Sequence, residues 1–285
     1  MRYINPLTKA LSFHKAYFFF ADNVQHVLVN NISSTSTAPV FSVLDQRLKS
    51  GDVYLDGERV KSGNYCDVDS LWHAGTGYIF PVKQGTQISI DAEKKTGNWS
   101  SIGASPQGQS TKDMFSAWIV HDSANLTAPT EYSVFPATKS NREFEEKADR
   151  WTPYTVANTE TVSAAVDSTR RTLGAAFWKP EGGSMYAPQM GMTISVDKPV
   201  VLAMKLTGNG SSKGELYVAD PTHQSSSVNV HITWAAKGHR RNDGQIGHHS
   251  PLRRTSGQSE ATLAIELPAG GDAGSTVMRE FSRGY

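Results

Sequence analysis

The chain has 285 residues, and its 28 Lys and Arg against 27 Asp and Glu give a formal charge of +1 at pH 7. This balance argues against nucleic-acid binding, which needs a concentrated basic surface, and no apolar run is long enough for a membrane helix. Cys66 is the only cysteine, so an intrachain disulfide is impossible, and no recognisable motif predicts a metal or a cofactor.

Short segments of alternating polarity, rich in β-branched and aromatic residues, predict β-strands along the chain. The predicted strands are 16–20, 26–32, 40–46, 78–80, 87–91, 114–121, 131–135, 163–166, 192–196, 200–206, 215–219, 228–234, 261–267 and 276–281. DVYLDGERV (52–60) predicts a hairpin with Asp56 and Gly57 as its two-residue turn. Many short strands with almost no helix predict an all-β protein, built as a sandwich or a stack of sheets.

Two segments interrupt this pattern. SNREFEEKADR (140–150) predicts a short helix that opens at Ser140, because Ser140 and Glu143 form a capping box. FWKPEGGSMYAP (177–188) contains two glycines and two prolines, and we take it as a domain boundary. The predicted domains are therefore residues 1–180 and 181–285.

His73 follows a tryptophan and precedes Gly75 and Gly77, which suggests either a base beside a glycine-shaped pocket or a structural residue in a hairpin. No acid or nucleophile partner is recognisable in the local sequence. The structural interpretation is therefore favoured.

The segment 237–260 lacks strand periodicity and predicts an inserted loop. Its candidate metal ligands are His239, Asp243, His248 and His249, and its candidate contacts to an acidic polymer are Arg240, Arg241, Arg253 and Arg254. Zinc needs ligands held rigidly, and charge runs are usually solvated, so a solvated loop is favoured over both functions.

Asp45, Gln46 and Arg47 end a strand and combine an acid, an amide and a guanidinium. They suggest either a carboxylate-binding group or an ordinary strand-end ion pair. Several aromatic residues could stack on sugars or pack in the core, and the core is the usual place for them. They are Tyr17, Phe18, Phe19, Phe20, Trp72, Tyr78, Trp99, Trp118 and Trp151.

Possible N-glycosylation sites occur in four sequons, at Asn31, Asn98, Asn125 and Asn209. Each is a surface glycan site if the chain is secreted. The first residues, MRYINPLTKALSFHK, lack the apolar run and cleavage site of a signal peptide.

In chain order, eight segments resemble polysaccharide lyase family 8, which contains the hyaluronate, chondroitin AC and xanthan lyases. They are KAYFFFADNVQHVLVNNI (15–32), PVFSVLDQR (39–47), HAGTGYIFP (73–81), TGNWSSIG (96–103), MFSAWIVHDSANLTAPTEYSVFP (114–136), ISVDKPVVLAMKL (194–206), ELYVADPTHQ (215–224) and ATLAIELPAGGDAGSTVM (261–278). The chain departs from the family pattern in three ways: Ser42 and Val43 replace paired threonines, Ala74 replaces an aspartate, and the tryptophan has moved next to His73.

The resemblance implies a stacked antiparallel β-supersandwich followed by a smaller β-sandwich. It implies a secreted enzyme that cleaves uronic-acid-containing chains, such as hyaluronan, chondroitin or xanthan, by β-elimination. The family's catalytic Asn, His, Tyr and Arg lie in an α/α toroid that this chain does not match, so no catalytic residue is assigned. We expect Met1 to be an internal or mis-predicted start and the chain to be inactive alone.

The resemblance also assigns roles to residues discussed above. It implies that His73 is structural, and that Asp45, Gln46 and Arg47 lie in the segment that approaches the toroid and the substrate. The alternative is a stand-alone carbohydrate-binding or structural β-module without chemistry.

Overall fold

The computed structural model describes residues 1–81, 84–104, 106–207, 213–234 and 259–283. The chain divides into two compact units, Met1–Pro153 with Asn158–Glu160, and Tyr154–Ala157 with Thr161–Tyr285. Antiparallel strands form both units, which confirms the predicted all-β fold. Within the described residues, no helix has the length and apolar character that a membrane crossing needs.

Two sheets form the first unit. Its strands are β1 (Arg2–Ile4), β2 (Leu11–Phe19), β3 (Gln25–Ser34), β4 (Phe41–Leu48), β5 (Val53–Leu55), β6 (Glu58–Val60), β7 (Gly63–Tyr65), β8 (Ser70–His73), β9 (Thr76–Ile79), β10 (Ile88–Asp91), β11 (Lys94–Asn98), β12 (Gln109–Val120) and β13 (Thr130–Phe135). The larger sheet has the order β1-β2-β3-β13-β9-β8-β5-β6. In the smaller sheet, β12 pairs with β11, β10 and β4, and β10 also pairs with β7.

The core of the first unit draws apolar side chains from both sheets. Its most deeply buried members include Val27, Val53, Leu71, Phe80, Ile88, Phe115 and Ala117. On β12 the buried residues Phe115, Ala117 and Ile119 alternate with half-buried ones, as a strand with one face on a core requires. Each fully buried aliphatic or aromatic side chain stabilises the fold by about 1.5–3 kcal/mol.

The predicted hairpin is confirmed. Strands β5 and β6 are joined by Asp56 and Gly57, whose φ angles of +49° and +81° are those of the turn that matches strand twist.

The predicted helix is also confirmed, as α1 (Asn141–Trp151). Ser140 Oγ accepts a hydrogen bond from the Glu143 amide at 3.2 Å, while the Glu143 carboxylate accepts from the Lys139 amide at 2.7 Å. In a capping box the second bond comes from the amide of the cap residue, whereas here it comes from Lys139, the residue before Ser140. The apolar side of the helix buries Phe144 and Ala148 against the larger sheet.

The second unit also has two sheets. Its strands are β14 (Tyr154–Asn158), β15 (Val162–Asp167), β16 (Thr172–Phe177), β17 (Gly183–Ala187), β18 (Met192–Val196), β19 (Val201–Leu206), β20 (Lys213–Ala219), β21 (Ser227–Trp234), β22 (Ser259–Glu266) and β23 (Val277–Ser282). The sheet orders are β14-β15-β16-β19-β20-β23 and β17-β18-β21-β22. The 3-10 helices whose residues the structure describes throughout are Gly270–Asp272 in the second unit and Ala21–Asn23 and Trp99–Ser101 in the first.

The division between the units lies earlier than the boundary predicted at residue 180. Strands β15 and β16 belong to the second unit because β16 pairs with both β15 and β19, and the two strands supply Val162, Leu173 and Phe177 to its core. The glycines taken as a linker have a packing role. A Cβ on Gly182 would lie 2.0 Å from the Val196 carbonyl oxygen, and the φ of Gly182 is +74°. Only glycine fits this approach without strain.

Candidate functional site

The strand β4 contains a β-bulge that decides where its polar residues point. Its register against β12 shifts between Ala117 and Trp118, so that Leu44 is the extra residue. As a result Leu44 and Asp45 are both half-buried in succession, whereas Gln46 is exposed. Of the three candidate residues, Asp45 and Arg47 therefore lie on the inner side of β4, and Gln46 lies on the outer side.

Of the two inner residues, Arg47 is hydrogen-bonded to the turn between β8 and β9 in the larger sheet. The Arg47 guanidinium forms an ion pair with Asp45 and donates hydrogen bonds to the Ala74 carbonyl at 3.4 Å and to Thr76 Oγ1 at 3.2 Å. The hydrogen bond with Asp45 raises the pKa of Arg47 above its ordinary value. This geometry fits the ion-pair interpretation of Asp45 and Arg47, and their supporting role at a toroid stays a prediction.

His73 lies in the core beside this turn. It is 1% exposed, its Nε2 accepts a hydrogen bond from the Ser50 amide at 3.3 Å, and its ring centroid is 3.8 Å from that of Phe115. Burial, with the positive charge of Arg47 nearby, lowers the pKa of His73 to about 4. An enclosed, neutral imidazole of this kind supports the structural interpretation.

The two glycines after His73 have separate roles. Gly75, with a φ of +86°, follows Ala74 at +46° in the turn between β8 and β9. Gly77 lies against the helix, where an added Cβ would meet the Phe144 ring at 2.1 Å. Gly75 thus serves the turn and Gly77 the packing of the helix, as a structural interpretation of this segment predicts.

The side of β12 and its neighbours that faces away from the core forms an open surface, which we call the outer face. Register and exposure place on it Phe41, Val43, Gln46, Leu48, Lys95, Gly97, Lys112, Met114, Ser116 and Trp118. The exposed fractions of Val43 and Leu48 are 60% and 59%, large for apolar side chains. Near one end, the Phe41 and Trp118 rings meet edge to face with centroids 6.0 Å apart.

The other end of the outer face is a groove of about 330 Å³, bordered by β11, β12 and the 3-10 helix Trp99–Ser101. Its apolar side is formed by Trp99, Ile102 and Met114. Lys95 and Lys112 are directly opposite each other across the two strands. An exposed indole beside two ammonium groups can stack on a ring and attract an anion at the same time.

Asn98 fixes the turn that presents Trp99. Its side-chain oxygen caps the 3-10 helix by accepting hydrogen bonds from the Ser100 amide at 3.1 Å and from Ser100 Oγ at 2.7 Å. Trp99 is consequently held on the surface, 49% exposed. Because Asn98 also lines the groove, a glycan on Asn98 would occupy the rim.

The remaining aromatic candidates divide between core and surface. Phe18 and Tyr78 are buried, and burial raises the pKa of Tyr78, whereas Tyr17 and Phe19 are 46% and 74% exposed. The sequence therefore identified Trp99 as one of several possible sugar contacts, but it gave no reason to prefer it. The lysines of the groove were missed. KKTGNW (94–99) places Lys95 close to Trp99 in the sequence, but only the pairing of β11 with β12 brings Lys112 beside them.

The remaining predicted sites are the glycosylation sequons and the loop with candidate metal and polymer contacts. Asn31, Asn98 and Asn125 are exposed, and their glycosylation stays a prediction. Asn209 and the loop residues 237–258, with their histidines and arginines, lie outside the described residues. Among the described residues, no group of three or more His, Cys, Asp or Glu is placed to hold a metal ion.

Comparison of the sequence with protein families gives two matches in succession. Residues 1–148 match the super-sandwich domain of polysaccharide lyase family 8, and residues 155–229 match the C-terminal beta-sandwich domain of that family. A search of curated protein sequences finds no match.

Solved structures with a similar fold include three polysaccharide lyases. A chondroitinase AC lyase studied with oligosaccharides has a TM-score of 0.79 and 22% identity, over 98% of this chain and 37% of its own. The xanthan lyase of Paenibacillus has a TM-score of 0.75 and 17% identity, and the match covers 99% of this chain and 27% of the xanthan lyase. The chondroitin AC lyase of Streptomyces coelicolor A3, in complex with chondroitin sulphate, has a TM-score of 0.66 and 19% identity. This match covers 96% of this chain and 33% of that lyase. The chain thus spans about a third of the length of these proteins.

Proposed function

Because the chain belongs to polysaccharide lyase family 8, we propose that it is the β-rich part of an enzyme that cleaves uronic-acid-containing polysaccharides by β-elimination. The observation that carries the proposal is the succession of both family domains along the chain. The similar lyases match nearly the whole length of the chain. The proposed substrates are acidic chains of the hyaluronan, chondroitin or xanthan kind. The proposal includes secretion, as the family resemblance implies.

The chemistry of β-elimination supports separate roles for this chain and for a catalytic part of the enzyme. β-Elimination at a uronate needs a group that neutralises the carboxylate and a base within hydrogen-bond distance of the C5 proton. In the first unit, burial lowers the pKa values of His26, His73 and His121 to about 4 each. These imidazoles are enclosed in the fold, where no polymer reaches them. The proposed role of this chain is therefore to support and to bind, and we expect it to be inactive alone.

The outer face supports a binding role. It combines an exposed tryptophan with two lysines and the amide of Gln46 on an open sheet, and these groups suit a polar, anionic, ring-containing polymer. A purely structural module has no need of such groups on a solvent-exposed face. The outer face therefore favours a carbohydrate-binding chain over a purely structural module. A carbohydrate-binding module without chemistry is distinguished from the lyase by the assay for the unsaturated product.

The experiment measures the ultraviolet absorbance of the unsaturated uronate that β-elimination produces. The 285-residue chain is incubated with hyaluronan, chondroitin and xanthan, and in parallel with the protein encoded when the open reading frame upstream of Met1 is included. We expect no product from the chain alone and sustained turnover from the longer protein. An upstream region closed by stop codons would favour the stand-alone module. Turnover by this chain that disappears in one of its own His or Tyr variants would overturn the assignment of catalysis elsewhere.

A further inference from the structure

The two lysines of the groove form a pair that a strand ladder ordinarily avoids. Like charges directly opposite each other on adjacent antiparallel strands repel at short range. Lys95 is partly neutralised, because its ammonium lies 2.6 Å from the Asp91 carboxylate. Lys112 makes no ion pair within the part of the chain that the structure describes. One net positive charge is therefore left at the edge of the groove, and an anionic group placed there would relieve the repulsion.

The floor of the groove is open because of Gly97. This residue lies on the same side of β11 as Lys95, and it is opposite Ser110 on β12. A Cβ added to Gly97 would have no heavy atom within 4 Å, so the space above it is free. Neither packing nor a positive φ requires glycine here, unlike at Gly77 and Gly182. The missing side chain leaves room beside the Trp99 indole.

From these features we propose that the groove is a subsite for one sugar ring of an anionic polysaccharide. The ring lies over Gly97 with its apolar face on Trp99, and Lys112 contacts a carboxylate or sulfate on the same or the adjoining sugar, with Lys95 beside it. Ile102 and Met114 exclude water from the apolar edge of the ring. This inference rests on the proposed function, since it names the place at which the polymer contacts this part of the enzyme.

The charge and the shape of the groove select the occupant together. A neutral glucan satisfies the indole but leaves the lysine pair without a counterion, and a small inorganic anion satisfies the lysines but leaves the indole exposed. A polymer of alternating uronate and amino sugar provides a ring and an anion within one repeat. The groove is therefore expected to prefer hyaluronan or chondroitin sulfate over an uncharged polysaccharide.

The test measures binding of the full chain to hyaluronan, chondroitin sulfate and dextran by calorimetry at two salt concentrations. We expect Trp99→Ala to weaken binding to both anionic polymers about tenfold, because the sugar ring loses the apolar face on which it stacks. Gly97→Val is expected to weaken it similarly by filling the floor. Lys112→Gln should weaken binding and reduce its dependence on salt. A larger effect of Lys112→Gln on chondroitin sulfate than on hyaluronan identifies sulfate as the contacted group, and equal effects identify the carboxylate.

Matched controls come from the second unit, where Tyr186 is 53% exposed and Lys205 is also exposed. Tyr186→Ala and Lys205→Gln should leave the affinity unchanged, and circular dichroism checks that every variant is folded. Wild-type binding that survives Trp99→Ala and Lys112→Gln overturns the subsite while leaving the proposed function intact. Absence of wild-type binding to either anionic polymer also overturns the subsite. The proposed function is decided separately, by the unsaturated product from the longer protein.

Discussion

At the scale of the residue, His73 shows how burial determines what a side chain can do. The sequence placed it beside two glycines without a local catalytic partner, and this was sufficient to favour a structural role. The positions of Asp45 and Arg47 could not be derived in the same way. They depend on the bulge at Leu44, which exists because of the register of β4 against β12, a strand almost seventy residues later. No local sequence pattern indicates the register of β4 against β12.

We expect His73→Ala to lower the free energy of unfolding by about 2–4 kcal/mol, because it removes a fully buried ring from contact with Phe115 and leaves a cavity. The measurement is urea unfolding of the full chain. His231→Ala is the matched control, since His231 is 40% exposed and should change stability by less than about 0.5 kcal/mol. An unchanged unfolding midpoint in His73→Ala would show that the ring contributes nothing to the core.

At the scale of the element, the sequence predicted those strands that carry their own signal. Strand β21 alternates between exposed or half-buried and buried residues along its whole length, and it was predicted within one residue. Strand β11 is exposed at every position and has no alternation, so it was missed. It forms because its backbone pairs with the first part of the long strand β12. The groove was missed for the same reason, since one of its sides is β11.

Packing of the helix on the sheet gives a second test at this scale. Gly77→Ala should destabilise the chain by about 1–3 kcal/mol, because its Cβ would overlap the Phe144 ring in a filled core. Gly97→Ala changes the same residue type in a strand where the Cβ meets nothing, so we expect it to be neutral or slightly stabilising. Both are measured by thermal unfolding. Equal effects of the two substitutions would contradict a close contact at Gly77.

At the scale of the whole molecule, the sequence indicated the family more reliably than the boundary between units. Resemblance uses many weak matches in chain order, and both family domains are confirmed by the comparisons. The boundary was inferred from a change in composition at 177–188, but units are defined by long-range strand pairing. Strand β16 pairs with β15 on one side and with β19 on the other, and this assignment has no signature in local composition.

The two units should respond differently to acid, because the buried histidines among the described residues all lie in the first unit. Burial is the main cause that lowers the pKa values of His26, His73 and His121 to about 4, with Arg47 acting on His73 and Lys15 on His121. In the unfolded chain a histidine has a pKa of about 6.5. Between these values the unfolded state binds more protons than the folded state, so stability is lost as the pH falls.

We therefore expect the first unit to be most stable above pH 6.5 and to lose stability progressively as the pH falls towards 4. The apolar core of the second unit should respond much less between pH 7 and pH 5. Hydrogen exchange read on peptides, with increasing urea at pH 7, 6 and 5, measures each unit in the intact chain. His121→Gln removes one titrating group beside Ser42, and it should reduce the pH dependence of the first unit without abolishing it. A first unit whose unfolding midpoint is the same at pH 7 and pH 5 would mean that these histidines are protonated in the folded state, so that burial does not hold them neutral.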